Sequence, residues 1–87
     1  MNSLARKQNE ELDFRATGLF FTEDSLCLQL SDGREIRVPL EFYPKLKKAS
    51  QSQRENFEII GLGVGIHWPD LDEDLSARGI VLGTPAV

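Results

Sequence analysis

The sequence is poor in the residues that most often carry chemistry or cross-linking, with one cysteine and one histidine among 87 residues. Cys27 alone cannot form an internal disulfide, so nothing calls for an oxidising compartment, and a reducing cytoplasm is the expected setting. His67 alone leaves any zinc site short of the usual cysteine and histidine set. No apolar run exceeds a few residues, and the start Met1-Asn2-Ser3-Leu4-Ala5-Arg6 lacks the apolar stretch of a signal peptide. Both points argue against export and membrane spanning. A net charge of −4 also argues against a general grip on nucleic acid, which depends on neutralising phosphates with Lys and Arg.

What remains is the composition of an ordinary small globular protein, 40% hydrophobic and 28% charged. A chain of this length supports one core. Charge is unevenly placed. Arg34, Arg37, Lys45, Lys47, Lys48 and Arg54 outnumber Glu35, Glu41 and Glu55, whereas Glu58, Asp70, Asp72, Glu73 and Asp74 face only Arg78 in the last third. The two ends of the domain are therefore electrostatically unlike, which suits either a mixed solvated surface or a partner that reads one sign of charge.

Along the chain, residues 1–15 offer too few apolar positions for a buried stripe and read as a loose or helical arm. From Thr17, Leu19, Phe20 and Phe21 lead to Leu26, Leu28 and Leu30, alternating with Cys27 and Gln29 as in a half-buried strand. Asp32-Gly33 then stands between two alternating segments, where a tight hairpin needs a positive φ, and Ile36, Val38 and Leu40 resume the alternation. Pro39 places that strand at an edge or at its end. Pro44 suits a first helical turn beside Leu46 and Ala49, and Ser50 with Gln53 matches a capping box for a second short helix. Strand character returns at Phe57, Ile59 and Ile60, with Leu62, Val64, Ile66 and Trp68 on one face and Gly61, Gly63, Gly65 and His67 opposite. The glycines suggest a turn or bulge. Asp70-Leu71-Asp72-Glu73-Asp74-Leu75 reads as an acidic turn, with Leu71 and Leu75 inward and Ser76 capping a helical turn that ends at Gly79. Ile80, Val81 and Leu82 complete the core. The expected fold is α+β: a small antiparallel sheet of three to four strands (hairpin 17–40, strands 57–68), short helices at 43–55 and a capped acidic turn at 70–79. Residues 16–83 form one domain and 84–87 a tail.

Chemical motifs are weak. Gly61-Leu62-Gly63-Val64-Gly65 leads into Ile66 and Trp68 rather than a helix N-terminus, so it reads as a structural turn and not a phosphate loop. Asp70, Asp72 and Asp74 alternate as in a calcium loop, but Leu75 and Val81 stand where that loop needs glycine and a bidentate glutamate. The acidic residues instead suit the positive end of the following helix. His67 has nearby acids and no evident nucleophile, so no catalytic residue, metal or cofactor is assigned. Trp68 is either core or an amphipathic anchor in a partner surface. Cys27 points outward or against a helix and reads as inert.

The succession Leu30-Ser31-Asp32-Gly33-Arg34, Val38-Pro39-Leu40, Tyr43-Pro44-Lys45-Leu46, Ser52-Gln53-Arg54-Glu55-Asn56-Phe57 and Gly65-Ile66-His67-Trp68-Pro69-Asp70-Leu71-Asp72-Glu73-Asp74-Leu75 resembles the bacterial domain-of-unknown-function family 2442 over about residues 17–83. That resemblance implies a small α+β fold and no established activity. It also implies kinship with proteins that carry an added helix-turn-helix, and with proteins encoded beside another small protein in the manner of toxin–antitoxin pairs. No room for a helix-turn-helix is expected after residue 83. Lys45 stands where the family commonly has arginine, and Ile80-Val81-Leu82 replaces its usual leucine pair.

The expectation is thus a non-enzymatic protein-interaction module, antitoxin-like or regulatory, whose partner is another small protein encoded nearby. Its partner-binding residues would be His67, Trp68, Asp70, Asp72, Glu73 and Asp74. The alternative is a nucleic-acid- or ligand-sensing module that contacts phosphates through Lys45, Lys47, Lys48 and Arg54.

Overall fold

The computed structural model describes residues 14–85. The arm expected over residues 1–15 lies outside the described residues except for Phe14 and Arg15, and the expected tail is described only at Thr84 and Pro85. Phe14 packs against the core, Arg34 lies over its ring at 6.0 Å, and Arg15 accepts the Ser31 N–H. These two residues belong to the domain rather than to an arm.

The fold is α+β, built on two antiparallel three-stranded sheets. The first contains β1 (Ala16–Phe21), β2 (Ser25–Leu30) and β3 (Glu35–Pro39) in that order. Direct pairing of Leu19 with Leu28, Phe21 with Leu26, Ile36 with Leu28 and Val38 with Leu26 puts these side chains on one face. That face is the floor of the core. Asp24 organises the β1–β2 turn, accepting from the Thr22 and Ser25 hydroxyls, while Thr22 N–H donates to the Ser25 carbonyl.

At the second turn Leu30 pairs with Arg34, closing a three-residue loop in which Gly33 takes φ 95°. The Asp-Gly signal is thus satisfied by one positive φ at the glycine rather than by a two-residue turn. Asp32 braces the loop from within: its carboxylate accepts from the Arg34 backbone N–H at 3.0 Å and from Nε at 2.8 Å, and these bonds hold its pKa below the ordinary carboxylate value.

Pro39 ends β3, which is an edge strand, as its missing N–H requires. A 3-10 turn (Leu40–Phe42) leads to α1 (Pro44–Lys48) and α2 (Gln51–Glu55). Pro44 opens α1, and Ser50 and Gln53 form both halves of the capping box of α2.

The second sheet contains β4 (Glu58–Ile60), β5 (Gly65–Trp68) and β6 (Glu73–Ser76), again in chain order. The chain reverses between β4 and β5 through a 3-10 turn at Gly61–Gly63, in which three consecutive residues hold positive φ. The even face expected from Leu62 to Trp68 is broken there: Ile66 and Trp68 are fully buried, whereas Leu62 is 86% exposed. Among the described residues β4 pairs with β5 and β5 with β6, so the strands form two three-stranded sheets rather than one sheet of three to four strands.

The segment expected as an acidic turn is a turn only through Asp72, after which Glu73–Ser76 pairs with β5. Ser76 caps the next helix, α3 (Ala77–Leu82), by accepting the Gly79 N–H. Gly79 does not end it. A Cβ there would lie 2.9 Å from the Ser76 hydroxyl, so the glycine makes room for the cap, and Gly83 at φ 73° terminates the helix. The carboxylates of Asp72, Glu73 and Asp74 make no hydrogen bond to this helix start.

Side chains of both sheets, α1 and α3 meet in one core that includes Leu26, Leu28, Leu46, Ile66, Trp68 and Ile80. Leu71 and Leu75 pack against it as expected, but Leu82 is exposed. No helix among the described residues is long and apolar enough to cross a membrane.

Candidate partner-binding face

Pairing in the second sheet sorts the sequence-predicted site residues onto opposite faces. Trp68 points inward with Ile66 and is fully buried. Its indole Nε1 donates to the Arg54 carbonyl at 2.9 Å, and its ring lies 6.2 Å from that of Phe57. Of the two readings of Trp68, the core one holds, because a tryptophan with its N–H satisfied inside has no surface to offer a partner. Glu73, directly opposite on β6, is only 9% exposed and leaves the surface with it.

The outward face carries the others. Glu58, His67 and Asp74 stand directly opposite one another on β4, β5 and β6, forming a row with a carboxylate on each side of the imidazole. His67 Nδ1 and Asp74 Oδ1 are 2.6 Å apart. Because an ionised carboxylate can only accept, the proton sits on Nδ1 and the ring is held by β6. Glu58 and Asp74 are exposed. Asp70 and Asp72, also exposed, lie in the adjoining turn, where Asp70 Oδ2 accepts from Asn56 Nδ2 at 3.0 Å and the Asp72 carbonyl accepts from Lys45 Nζ at 3.1 Å. Asp72 reaches this position through a φ of 51°. No group of three or more His, Cys, Asp or Glu among the described residues could hold a metal ion.

The basic set is not gathered. Arg54 donates from Nε to the Leu46 carbonyl and from Nη2 to the Lys47 carbonyl, both at 2.8 Å, and so caps the C-terminus of α1. Its guanidinium also lies 5.9 Å from the Phe21 ring centre. Lys47 Nζ bonds Glu41 at 3.4 Å, and Lys45 is turned toward Asp72. Of the four, only Lys47 makes an ion pair with a described residue, and Lys48 makes neither an ion pair nor a side-chain hydrogen bond with one. The cleft beside Arg54, of about 270 Å³, is flanked by Glu23 and Glu55, a poor setting for a phosphate.

Two features escaped the sequence. Tyr43 is fully buried with its hydroxyl unpartnered by any protein atom, and burial pushes its pKa up to about 12. Leu62 projects into solvent beside half-exposed Ile60 and Val64. Both arise from tertiary placement. The glycines around Leu62 signalled a turn, but not which way it would aim the leucine.

The model of a protein family of unknown function, DUF2442, matches residues 16–86. The chain belongs to this family. A protein of unknown function from Rhodospirillum rubrum has a crystal structure that superposes with a TM-score of 0.74 at 30% identity, over 86% of this chain and 93% of that one. The solution structure of an uncharacterised protein from Chromobacterium violaceum, a structural genomics target, superposes with a TM-score of 0.72 at 21% identity, over 98% of this chain and 79% of that one. The latter likeness is one of fold alone. No curated protein matches the chain.

Proposed function

We propose that this chain is a cytoplasmic, non-enzymatic protein-interaction module, antitoxin-like or regulatory, that binds another small protein encoded nearby through the outward face of its second sheet. The observation that supports this reading is the row Glu58, His67, Asp74 on the outer face of the second sheet, its two carboxylates exposed and its imidazole half-buried, continued by Asp70 and Asp72 in the next turn. Such a row presents fixed negative charge to a basic surface, and charge of this kind sets association rate and selectivity more than raw affinity. With Trp68 and Glu73 turned inward, the recognition residues reduce to His67, Asp70, Asp72 and Asp74, with Glu58 added. Phosphate sensing through residues 45–54 is less well supported, since three of its four cations are already engaged.

The test is co-expression with the product of the adjacent reading frame, followed by binding measurements at increasing salt. Asp72→Asn/Asp74→Asn should slow association and flatten its salt dependence while leaving the melting temperature within a few degrees. Failure to bind that product, or binding indifferent to both substitutions and to salt, would overturn the proposal. A steep salt dependence of binding to single-stranded DNA or RNA would favour the phosphate reading instead.

A further inference from the structure

The turn between β4 and β5 holds a leucine where both backbone and solvent disfavour one. Leu62 adopts φ 59° and ψ 33°, left-handed geometry that a side chain with a Cβ enters at a cost, and its side chain is 86% exposed. Neighbouring groups hold it there. Gly63 is wedged so tightly that a Cβ would lie 2.7 Å from the Ala16 carbonyl oxygen. Arg15 Nη1 donates to the Leu62 carbonyl at 3.0 Å, and the Val64 carbonyl accepts the Ala77 N–H at 2.8 Å. Ile60 and Val64, 45% and 46% exposed, flank the leucine, and Ile60 leans over Gly65, where a Cβ would come within 3.2 Å of its Cγ1.

From this geometry we infer that Leu62 is a pre-organised apolar anchor, with Ile60 and Val64 at its base, that inserts into an apolar pocket on a different protein. The inference deepens the reading of the acidic face and rests on it. Ile60 shares the outward face with Glu58, His67 and Asp74, so anchor and charge row form one surface. The pocket that fits is therefore apolar within and basic at its rim. The clefts formed by the described residues offer a second copy of this chain no such pocket. The clefts beside Arg54 have one apolar side chain each, Phe21 or Leu40, among charged and polar ones that include Glu23, and the cleft near Tyr43 opens next to Asp74, so each would set acid against acid. An anionic lipid surface is disfavoured by the same row. Because the anchor is fixed before binding, little ordering entropy is lost on association, which is how a single side chain comes to dominate an interface.

The test places a photo-crosslinking amino acid at position 62, at 70 or at 48 of the full chain in cells, followed by binding of the cross-linked protein to purified variants. A discrete adduct with one other protein from positions 62 and 70 but not 48 is expected. Leu62→Gly and Leu62→Asn, which suit the left-handed backbone, should weaken binding roughly tenfold or more while leaving the melting temperature unchanged or higher. An adduct from 70 but not 62, or Leu62→Gly binding within twofold of the original, overturns the anchor and leaves the acidic face standing. Adducts from neither position overturn both, and an adduct of twice this chain's mass, or one to lipid, replaces the pocketed partner with a second copy or a membrane.

Discussion

Glycine positions separate backbone strain from crowding. Gly33, at φ 95°, has nothing within 4 Å of where a Cβ would stand, whereas Gly63, at φ 97°, would set one 2.7 Å from the Ala16 oxygen. Gly33→Ala should cost about 1 kcal/mol, the price of the backbone alone, and Gly63→Ala roughly 2 kcal/mol or more, because backbone must also move. Urea titration of the two variants checks the difference; equal costs would mean that β1 and the turn are not in contact. Tyr43 gives the pH counterpart. Its pKa is raised by burial to about 12 from an ordinary 10.0, so the folded state holds the phenol proton more tightly than the unfolded one. Its contribution is complete below pH 10 and is lost as pH rises through about 12. Tyr43→Phe should remove that alkaline loss and, since the hydroxyl has no protein partner, stabilise at neutral pH by about 1 kcal/mol. A destabilised Tyr43→Phe would show that the hydroxyl is satisfied after all.

Between elements, one arginine makes the joints. Arg54 ties α2 to the last carbonyls of α1 through its guanidinium, and to β5 through its own carbonyl and the Trp68 indole. Lysine cannot span both carbonyls with a planar fork, so Arg54→Lys should cost about 2 kcal/mol, a fall of roughly 10 °C in melting temperature, whereas Lys48→Ala should stay within about 0.5 kcal/mol. Loss of similar size in both would remove Arg54 from its bracing role. From sequence, Arg54 was one cation among four, since charge is local information and the carbonyls it caps are not. The β2–β3 hairpin, the Ser50 capping box and the Pro44 helix start were legible because turn and cap chemistry acts over a few residues. Strand β6 was not: Glu-Asp-Leu-Ser has low strand propensity, and only pairing with β5 makes it one. Of the candidate site, the acidic character and His67 were readable, but the opposite facing of Trp68 and Asp74 depends on register, and register on the reversal at Gly61–Gly63.

At the scale of the whole molecule, both sheets contribute to the same core, Leu26 and Leu28 from one, Ile66 and Trp68 from the other. Neither sheet has a hydrophobic interior of its own. Urea transitions followed by fluorescence of the sole tryptophan, in the second sheet, and by far-ultraviolet circular dichroism should therefore coincide. Separated midpoints would mean that the sheets unfold independently. The sole cysteine extends this to rare fluctuations. Cys27 lies on the central strand β2, on the face opposite the core leucines, between Phe20 and Arg37, and is fully buried. A thiol-reactive reagent can meet its sulfur only when the side chains that cover it move aside, so the rate of alkylation in the native protein becomes a clock for that opening, readable by mass with no engineered label. If that cover opens only with the whole fold, the clock runs at the rate set by global unfolding; a faster rate would time a local opening of the outer face of the first sheet.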